Sequence, residues 1–373
     1  YDIAAAVEGL ITPLDITFDV AAPEVSALVP QVTGPVRAQG RLRQTQNGLE
    51  IETNATGPYR VRAAVAGQIS PKIAITYDLT LPDVRPPAPQ YTGALSAQGT
   101  LNQEDQGFFI DTTAQGPYGL RAAVDGLATG PDMALNFDAS LPNVAPLAPG
   151  INGPFAAKGQ VRQTPDGLAV DTNATGPYAS RAAVAGVVTG PQAAVTYDVF
   201  LPNLASLVPQ INGPLSVKGD ARKQGQAWRI ATTADGPAGT NAQVGGTVDP
   251  NGTLNLDIAG TAPLGLSRPF IAPRSLQGQA RFDLSVNGPP ALSSVTGTIQ
   301  TNTASLSAPN LRLALEGIAA TIRLARNRAN LDITANAVTG GRLRVGGGLA
   351  LTGSLPADIQ IGLENLALVD PKL

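Results

Sequence analysis

The sequence predicts an all-β fold: an elongated repeat array whose long, antiparallel-rich sheet curls into an open trough with an apolar interior and short helical plugs in its connections. Three observations predict it. A segment reading GLEIETNATGPYRVRAAVAG at 48–67 returns as GFFIDTTAQGPYGLRAAVDG at 107–126, as GLAVDTNATGPYASRAAVAG at 167–186 and in worn form at 227–246. Its turn glycines Gly57, Gly116, Gly176 and Gly236 fall about 60 residues apart, and a fixed period of this size marks a repeat array. Apolar and polar residues alternate with a period of two in stretch after stretch, the pattern of strands with one apolar face and one wet face. Finally, 41 Gly and 32 Pro punctuate a chain that is 43% hydrophobic and only 14% charged, too apolar for a disordered segment and rich in turn formers.

The 373 residues divide into approximate units 1–47, 48–106, 107–166, 167–226 and 227–290, followed by a degenerate stretch, 291–373. Stacked units share one continuous core, so no true domain boundary is expected. Each unit holds about four strands, placed in the second unit near 49–53, 60–67, 73–81 and 95–102. Asn54-Ala55-Thr56-Gly57-Pro58 is expected to turn the first strand into the second, because Gly tolerates positive φ and Pro presets a turn. Ser70-Pro71, Gly130-Pro131 and Gly190-Pro191 mark the next turn. The third connection is longer and reads LPNLASLVPQINGP in its clearest copy. Leu204, Leu207 and Val208 sit there at helical spacing, so either a single helical turn capped by Asn203 and stopped by Pro209, or an extended Pro-rich crossover, is expected. Beyond 268 the period blurs while the alternation persists: Leu311, Leu313 and Leu315, then Ala320, Ile322 and Leu324, then Leu331 and Ile333, Leu343 and Val345, and Ile359 and Ile361.

Roughly two dozen strands at ~4.8 Å spacing make a sheet on the order of 110 Å long, and an open twisted sheet of that size curls or splits. A membrane barrel needs aromatic girdles, whereas aromatics are 4% of this chain and follow the repeat. A trough is the remaining solution. The residues expected to line it are Leu14, Ile16, Phe18, Ile73, Ile75, Tyr77, Leu79, Met133, Leu135, Phe137, Val195, Tyr197, Val199, Leu254, Leu256, Ile258, Leu313, Ile322, Ile333, Val345 and Ile361. Ala63, Val65, Ala122, Val124, Ala182 and Val184 on the same side are small. They leave width for a ligand, although a self-packed solenoid satisfies the same alternation.

Catalytic chemistry is not expected. With no His and no Cys, the common nucleophile–base pairs and structural zinc sites are missing. Asp78, Asp111, Asp138, Asp171 and Asp198 recur once per unit, as a structural feature does and a single active site does not. No cofactor and no metal are expected, and a net charge of −3 gives no reason to expect nucleic acid. Asn54 and Asn173 match the glycosylation pattern but read better as turn residues. Arg62, Arg121 and Arg181 are expected to pair across strands with the repeated aspartates, and Arg323, Arg326 and Arg328 to form a solvated face and turn. No apolar run approaches the ~20 residues of a membrane helix. The chain opens inside a repeat, so it reads as a fragment of a larger protein.

The connection from Leu201 to Asp220 with its copies, and the closing run GLALTGSLPADIQIGLENLALVDPKL at 348–373, resemble the TamB family of Gram-negative envelope proteins, whose AsmA-like relatives share the same habit. The resemblance implies a taco-like β-sheet with a greasy groove, in a protein anchored in the inner membrane and crossing the periplasm. It implies phospholipids as cargo carried between the inner and outer membranes, and a TamA-like outer-membrane barrel as a partner met through regions outside this fragment. A scaffold or chaperone-like assembly factor for outer-membrane β-barrel proteins, acting through strand edges, is the alternative. A passive spacer or adhesin built as a closed β-solenoid fits poorly, since such coils are ~20 residues long.

Overall fold

Four antiparallel strands make up each repeat of the computed structural model, which describes residues 3–24, 33–85, 88, 90–325, 327–351 and 356–365. The described residues form twenty-five strands and little helix. The chain divides into two units, Tyr1–Pro177 and Tyr178–Leu373. The first contains β1 (Ala4–Ile11), β2 (Leu14–Ala22), β3 (Val36–Thr45), β4 (Gly48–Thr56), β5 (Arg62–Ser70), β6 (Ala74–Leu81), β7 (Leu95–Glu104), β8 (Gly107–Gln115), β9 (Arg121–Leu127), β10 (Ala134–Leu141), β11 (Phe155–Thr164) and β12 (Gly167–Thr175). From β1 to β11 each pairs antiparallel with the next in sequence. The second contains β13 (Arg181–Val187), β14 (Ala194–Leu201), β15 (Leu215–Gln224), β16 (Ala227–Asp235), β17 (Asn241–Val248), β18 (Leu254–Pro263), β19 (Ser275–Gln277), β20 (Gln279–Gly288), β21 (Val295–Ala308), β22 (Leu313–Ala325), β23 (Arg328–Ala337), β24 (Arg342–Ala350) and β25 (Ala357–Glu364). It is again a meander, except that β18 pairs β20 and the short β19 pairs the far end of the long β21. Neither unit closes into a barrel: among the described residues β1 pairs only β2, and β25 only β24.

The turns follow the punctuation with one shift. Asn54–Thr56 were expected to turn the chain, but they remain in β4, where Thr56 pairs with Arg62. The loop is five residues, Gly57 to Val61, closed by Gly57 N–H to Val61 O at 2.9 Å. It places Tyr59 at φ 61, the left-handed region, and the copies do the same with Tyr118 and Tyr178, at a cost of roughly 1 kcal/mol each. The turns at Gly130-Pro131 and Gly190-Pro191 lie between strands as the sequence indicates, and the one at Ser70-Pro71 starts on the last residue of β5. In the long connection Leu204–Ser206 is one turn of 3-10 helix, and Asn203 caps it by accepting from the Ala205 N–H at 3.1 Å.

Register is pinned by close approach. Gly67 stands opposite Ile51 and Ile75, and Gly126 opposite Ile110 and Leu135. Both have φ near +130 to +140°, and a Cβ added to them would meet the Ala74 or Ala134 carbonyl oxygen at 2.2 and 2.1 Å. Only glycine fits there. A second device spans three strands. The ring of Tyr77 on β6 reaches past Gly99 on β7, and its hydroxyl bonds Thr112 Oγ1 on β8. Tyr197, Gly219 and Thr232 repeat the arrangement. Phe137 occupies the same position in the third copy and has no hydroxyl, so Thr172 Oγ1 is buried without a partner.

The blurred C-terminal stretch keeps its apolar face by shifting register. The alternation around Leu311 to Leu315 runs on odd positions and that around Ala320 to Leu324 on even ones. The structure joins them in the single strand β22, with an irregularity between Glu316 and Ala319 where Gly317 takes φ 58. Leu311 precedes the strand in a 3-10 turn. A matching irregularity in β21 lies between Thr301 and Leu306. Ala304, Leu315, Ile318, Ala335 and Ala337 are buried there and form a cluster packed by Leu264, Leu276 and Leu306.

Restoring the missing hydroxyl with Phe137→Tyr satisfies Thr172 and should raise stability by about 1 kcal/mol, while Tyr77→Phe should lower it by a similar amount. Urea unfolding followed by far-UV circular dichroism checks both; equal midpoints for the pair would contradict the bridge.

Candidate functional site

Directly opposed residues in an antiparallel pair share a face, so the register shows which side each expected groove residue occupies. In the first unit one row runs Ile16, Leu42, Ile51, Gly67, Ile75, Leu101, Ile110, Gly126, Leu135, Val161 and Val170 across consecutive strands. The row beside it carries Phe18, Tyr77 and Phe137, and the next is almost all alanine, from Ala38 through Ala55 and Ala63 to Ala174, broken by Leu79. Leu14, Ile73 and Met133 continue the same face at period two. In the second unit Val195 and Leu256 share a row, as do Tyr197 and Ile258. Val199, through Val217, Ala234, Ala242, Gly260 and Phe282, is aligned with Ile322. Ile333, Val345 and Ile361 stand in register. The expected residues therefore fall on one face within each unit.

That face is neither buried nor bare. Among the described residues the buried apolar side chains number fifteen, eight of them alanine, and no large side chain is fully buried. Nearly all the expected groove residues are half-buried; Val199 and Ile361 are exposed, at 38% and 64%. Leu313 and Ile333 differ, since they pack against the Leu315–Ile318 cluster and so contribute to a self-packed segment of the second unit. Two hollows that open on the strands lie on the polar side. One of about 500 Å³ is bordered by Glu52, Asn54, Thr76, Asp78, Thr100 and Asp111. Another, about 660 Å³, is bordered by Lys218, Asp220, Thr233, Gln243 and Asp257.

Charge pairing on the polar side differs from expectation. Arg62, Arg121 and Arg181 make no ion pair with a repeated aspartate among the described residues. Arg62 stands opposite Thr56 and Thr80, and Arg181 lies over the Phe200 ring at 5.2 Å. Two of the aspartates pair instead with the lysine immediately before the strand glycine of the following strand: Asp138 with Lys158 at 2.7 Å, and Asp198 with Lys218 at 3.0 Å. In the first copy Arg37 plays this part for Asp19 at 2.5 Å, three positions before Gly40. Hydrogen bonds from Arg37 and then Gln39 hold the Asp19 carboxyl down to about 2. Arg41 beside Asp15 likewise lowers that carboxyl. These pairs are exposed and contribute little to stability. Arg326 lies outside the described residues, as do 352–355 and 366–373 of the closing run.

The connections are held by one side chain that sequence reading credited only with capping. Asn203 Oδ1 accepts from the Gly213 N–H at 3.0 Å as well as from Ala205, tying the start of the connection to its end. Asn143 does the same with Ala145 and Gly153. Glu24 accepts from Gly34 at 2.9 Å. Asp83 serves the second copy, where Arg85 is its main partner and the Gly93 N–H a further one; together they lower its pKa. The signal was the fixed ten-residue interval from Glu24, Asp83, Asn143 or Asn203 to a glycine.

No group of three or more potential metal ligands converges among the described residues, and no helix there is long and apolar enough to cross a membrane. No protein-family model, curated protein or solved structure matches the chain.

The clip at Asp83 is an acid-sensitive version of a neutral one. A lowered folded pKa means that its contribution is complete above the unfolded carboxylate value of about 3.9 and is lost as pH falls through the lower folded value. The Gly93 amide resonance should therefore titrate below pH ~4, while Gly153 and Gly213 stay flat and Asp83→Asn abolishes the effect. A flat Gly93 in the parent chain would refute the clip.

Proposed function

We propose that the apolar face binds acyl chains and that this chain is a periplasm-spanning segment which shields phospholipid tails as they pass between the inner and outer membranes. The observation that carries the reading is the row structure: apolar residues stand in unbroken register on one face of each unit, yet their large side chains stay half-exposed instead of interlocking. An exposed apolar surface this extensive calls for an apolar partner. The alanine row leaves room beside the larger side chains for a flexible chain to lie against the strands.

The energetics favour such a face. Exposing acyl chain to water costs about 0.8 kcal/mol per methylene, or roughly 20 kcal/mol as an upper figure for two chains of ~14 methylenes. A barrier of ~20 kcal/mol permits only about one event per hundred seconds. A surface that keeps tails dry removes most of it and needs no specific catalytic group. The repeated polar face, with its neutralising ion pairs, keeps the opposite side wet.

Charge placed on the apolar face should abolish tail binding without unfolding the sheet. Native mass spectrometry of the purified chain is expected to show co-purified phospholipid, reduced about tenfold or more by Ile75→Asp, Leu135→Asp or Val195→Asp, because each buries a carboxylate against hydrocarbon. Asn136→Asp on the polar side should change little. Absence of lipid from the parent chain, or equal loss with Asn136→Asp, would overturn the proposal; crosslinks from the sheet edges to a β-barrel client, with no lipid adducts, would favour the assembly-factor reading.

A further inference from the structure

A separate cavity of about 410 Å³ lies at the connection end of the first unit, across the ends of β6 to β10. Its floor is buried: Leu81 closes β6, Leu141 closes β10, and Val84 comes from the β6–β7 connection, at 8%, 4% and 7% exposure. Its mouth is ringed by Tyr91, Leu120 and Leu147, exposed at 40%, 37% and 52%. The walls therefore come from two successive connections and the Tyr118 turn between them, and both connections are fixed. Asn143 clips one, with the Leu147 N–H donating to Val144 O at 2.8 Å. In the other, the Val84 N–H donates to Gly93 O at 2.9 Å.

The polarity of this cavity limits what it can hold. Among the described residues no charged side chain lines it, and Asp83 and Arg85, on either side of Val84 in sequence, pair with each other at 2.5 Å. The polar side-chain groups on its wall are the phenols of Tyr91 and Tyr118. Tyr118 Oη accepts from the Thr92 N–H at 3.1 Å, which fixes the hydroxyl while leaving its own proton to donate. A charged ligand would lose its hydration without compensation, and water would find few partners. The volume lies within the range of small-molecule sites.

We propose that this cavity is a binding site for a neutral small molecule with an apolar body and one hydrogen-bond-accepting oxygen, held against Leu81, Val84 and Leu141 with its oxygen at Tyr118. The site does not depend on the strand face binding acyl chains. It is tested by titrating the full chain with decan-1-ol, observed by saturation-transfer NMR and by intermolecular nuclear Overhauser effects. Saturable binding is expected, with contacts to the Tyr118 ring and the Leu147 methyls. Leu147→Glu sets a charge at the exposed mouth and should weaken binding about tenfold or more, with circular dichroism unchanged. Tyr118→Phe should weaken it about fivefold through the lost hydrogen bond. No saturable binding, affinity unchanged in both variants, or contacts confined to Ile75 and Leu135 on the strand face would overturn the proposal.

Discussion

Cross-strand register is the constraint on which the molecule depends. Side chains on a strand alternate with a period of two, so a slip of one residue would send every apolar residue to the wet side. The chain prevents the slip at intervals of four strands. Gly67 and Gly126 admit a neighbouring carbonyl oxygen where any side chain would collide, and Tyr77 and Tyr197 reach past a glycine to a threonine two strands away. The Pro-Tyr turns and the clips at Asp83, Asn143 and Asn203 then fix where each strand starts. Both faces and the connection end inherit their chemistry from that alignment.

A sheet locked in this way can leave one apolar face without a protein layer over it. Backbone hydrogen bonds between neighbouring strands hold each unit, and burial contributes less than in a globular core, since most of the buried apolar residues are alanine. The second unit shows the contrast within one chain. Around Leu315 and Ile318 the paired irregularities in β21 and β22, with Leu264 and Leu276 folding in, produce a conventional packed cluster. Among the described residues the repeats before it show no equivalent cluster. The half-exposed face is thus a property of the regular repeat, and the self-packed cluster appears where the repeat breaks down.

Much of the fold was legible because repetition writes the same instruction several times. The strands, the turn at Ser70-Pro71 and the capped turn at Leu204 all follow from local alternation, proline and an Asn before a short apolar run. The turn at Gly57 was placed too early because Asn54-Ala55-Thr56 has turn composition, whereas its pairing with β5 keeps it extended. The arginine partners were missed for a geometric reason: Arg62 and Asp78 share a face, but Thr80 stands opposite Arg62 and Asp78 stands opposite Ala64. Alternation identified the sidedness of the proposed groove residues and was silent on how deeply each is covered. Leu313 and Ile333 were for that reason grouped with Ile75 and Leu135, although a packed cluster surrounds only the former pair. The connection-end cavity lay beyond a linear reading, because its walls come from segments about 60 residues apart.

The most direct test of the account places a spin label at each position from 73 to 78 in turn and measures its accessibility to oxygen and to a water-soluble nickel complex in the presence of phospholipid. Labels at 73, 75 and 77 should enter an oxygen-rich, nickel-poor environment, while those at 74, 76 and 78 remain in water, giving a period of two in phase with the apolar rows. Uniform accessibility along the strand, or the same alternation with and without lipid, would contradict a face built to hold acyl chains.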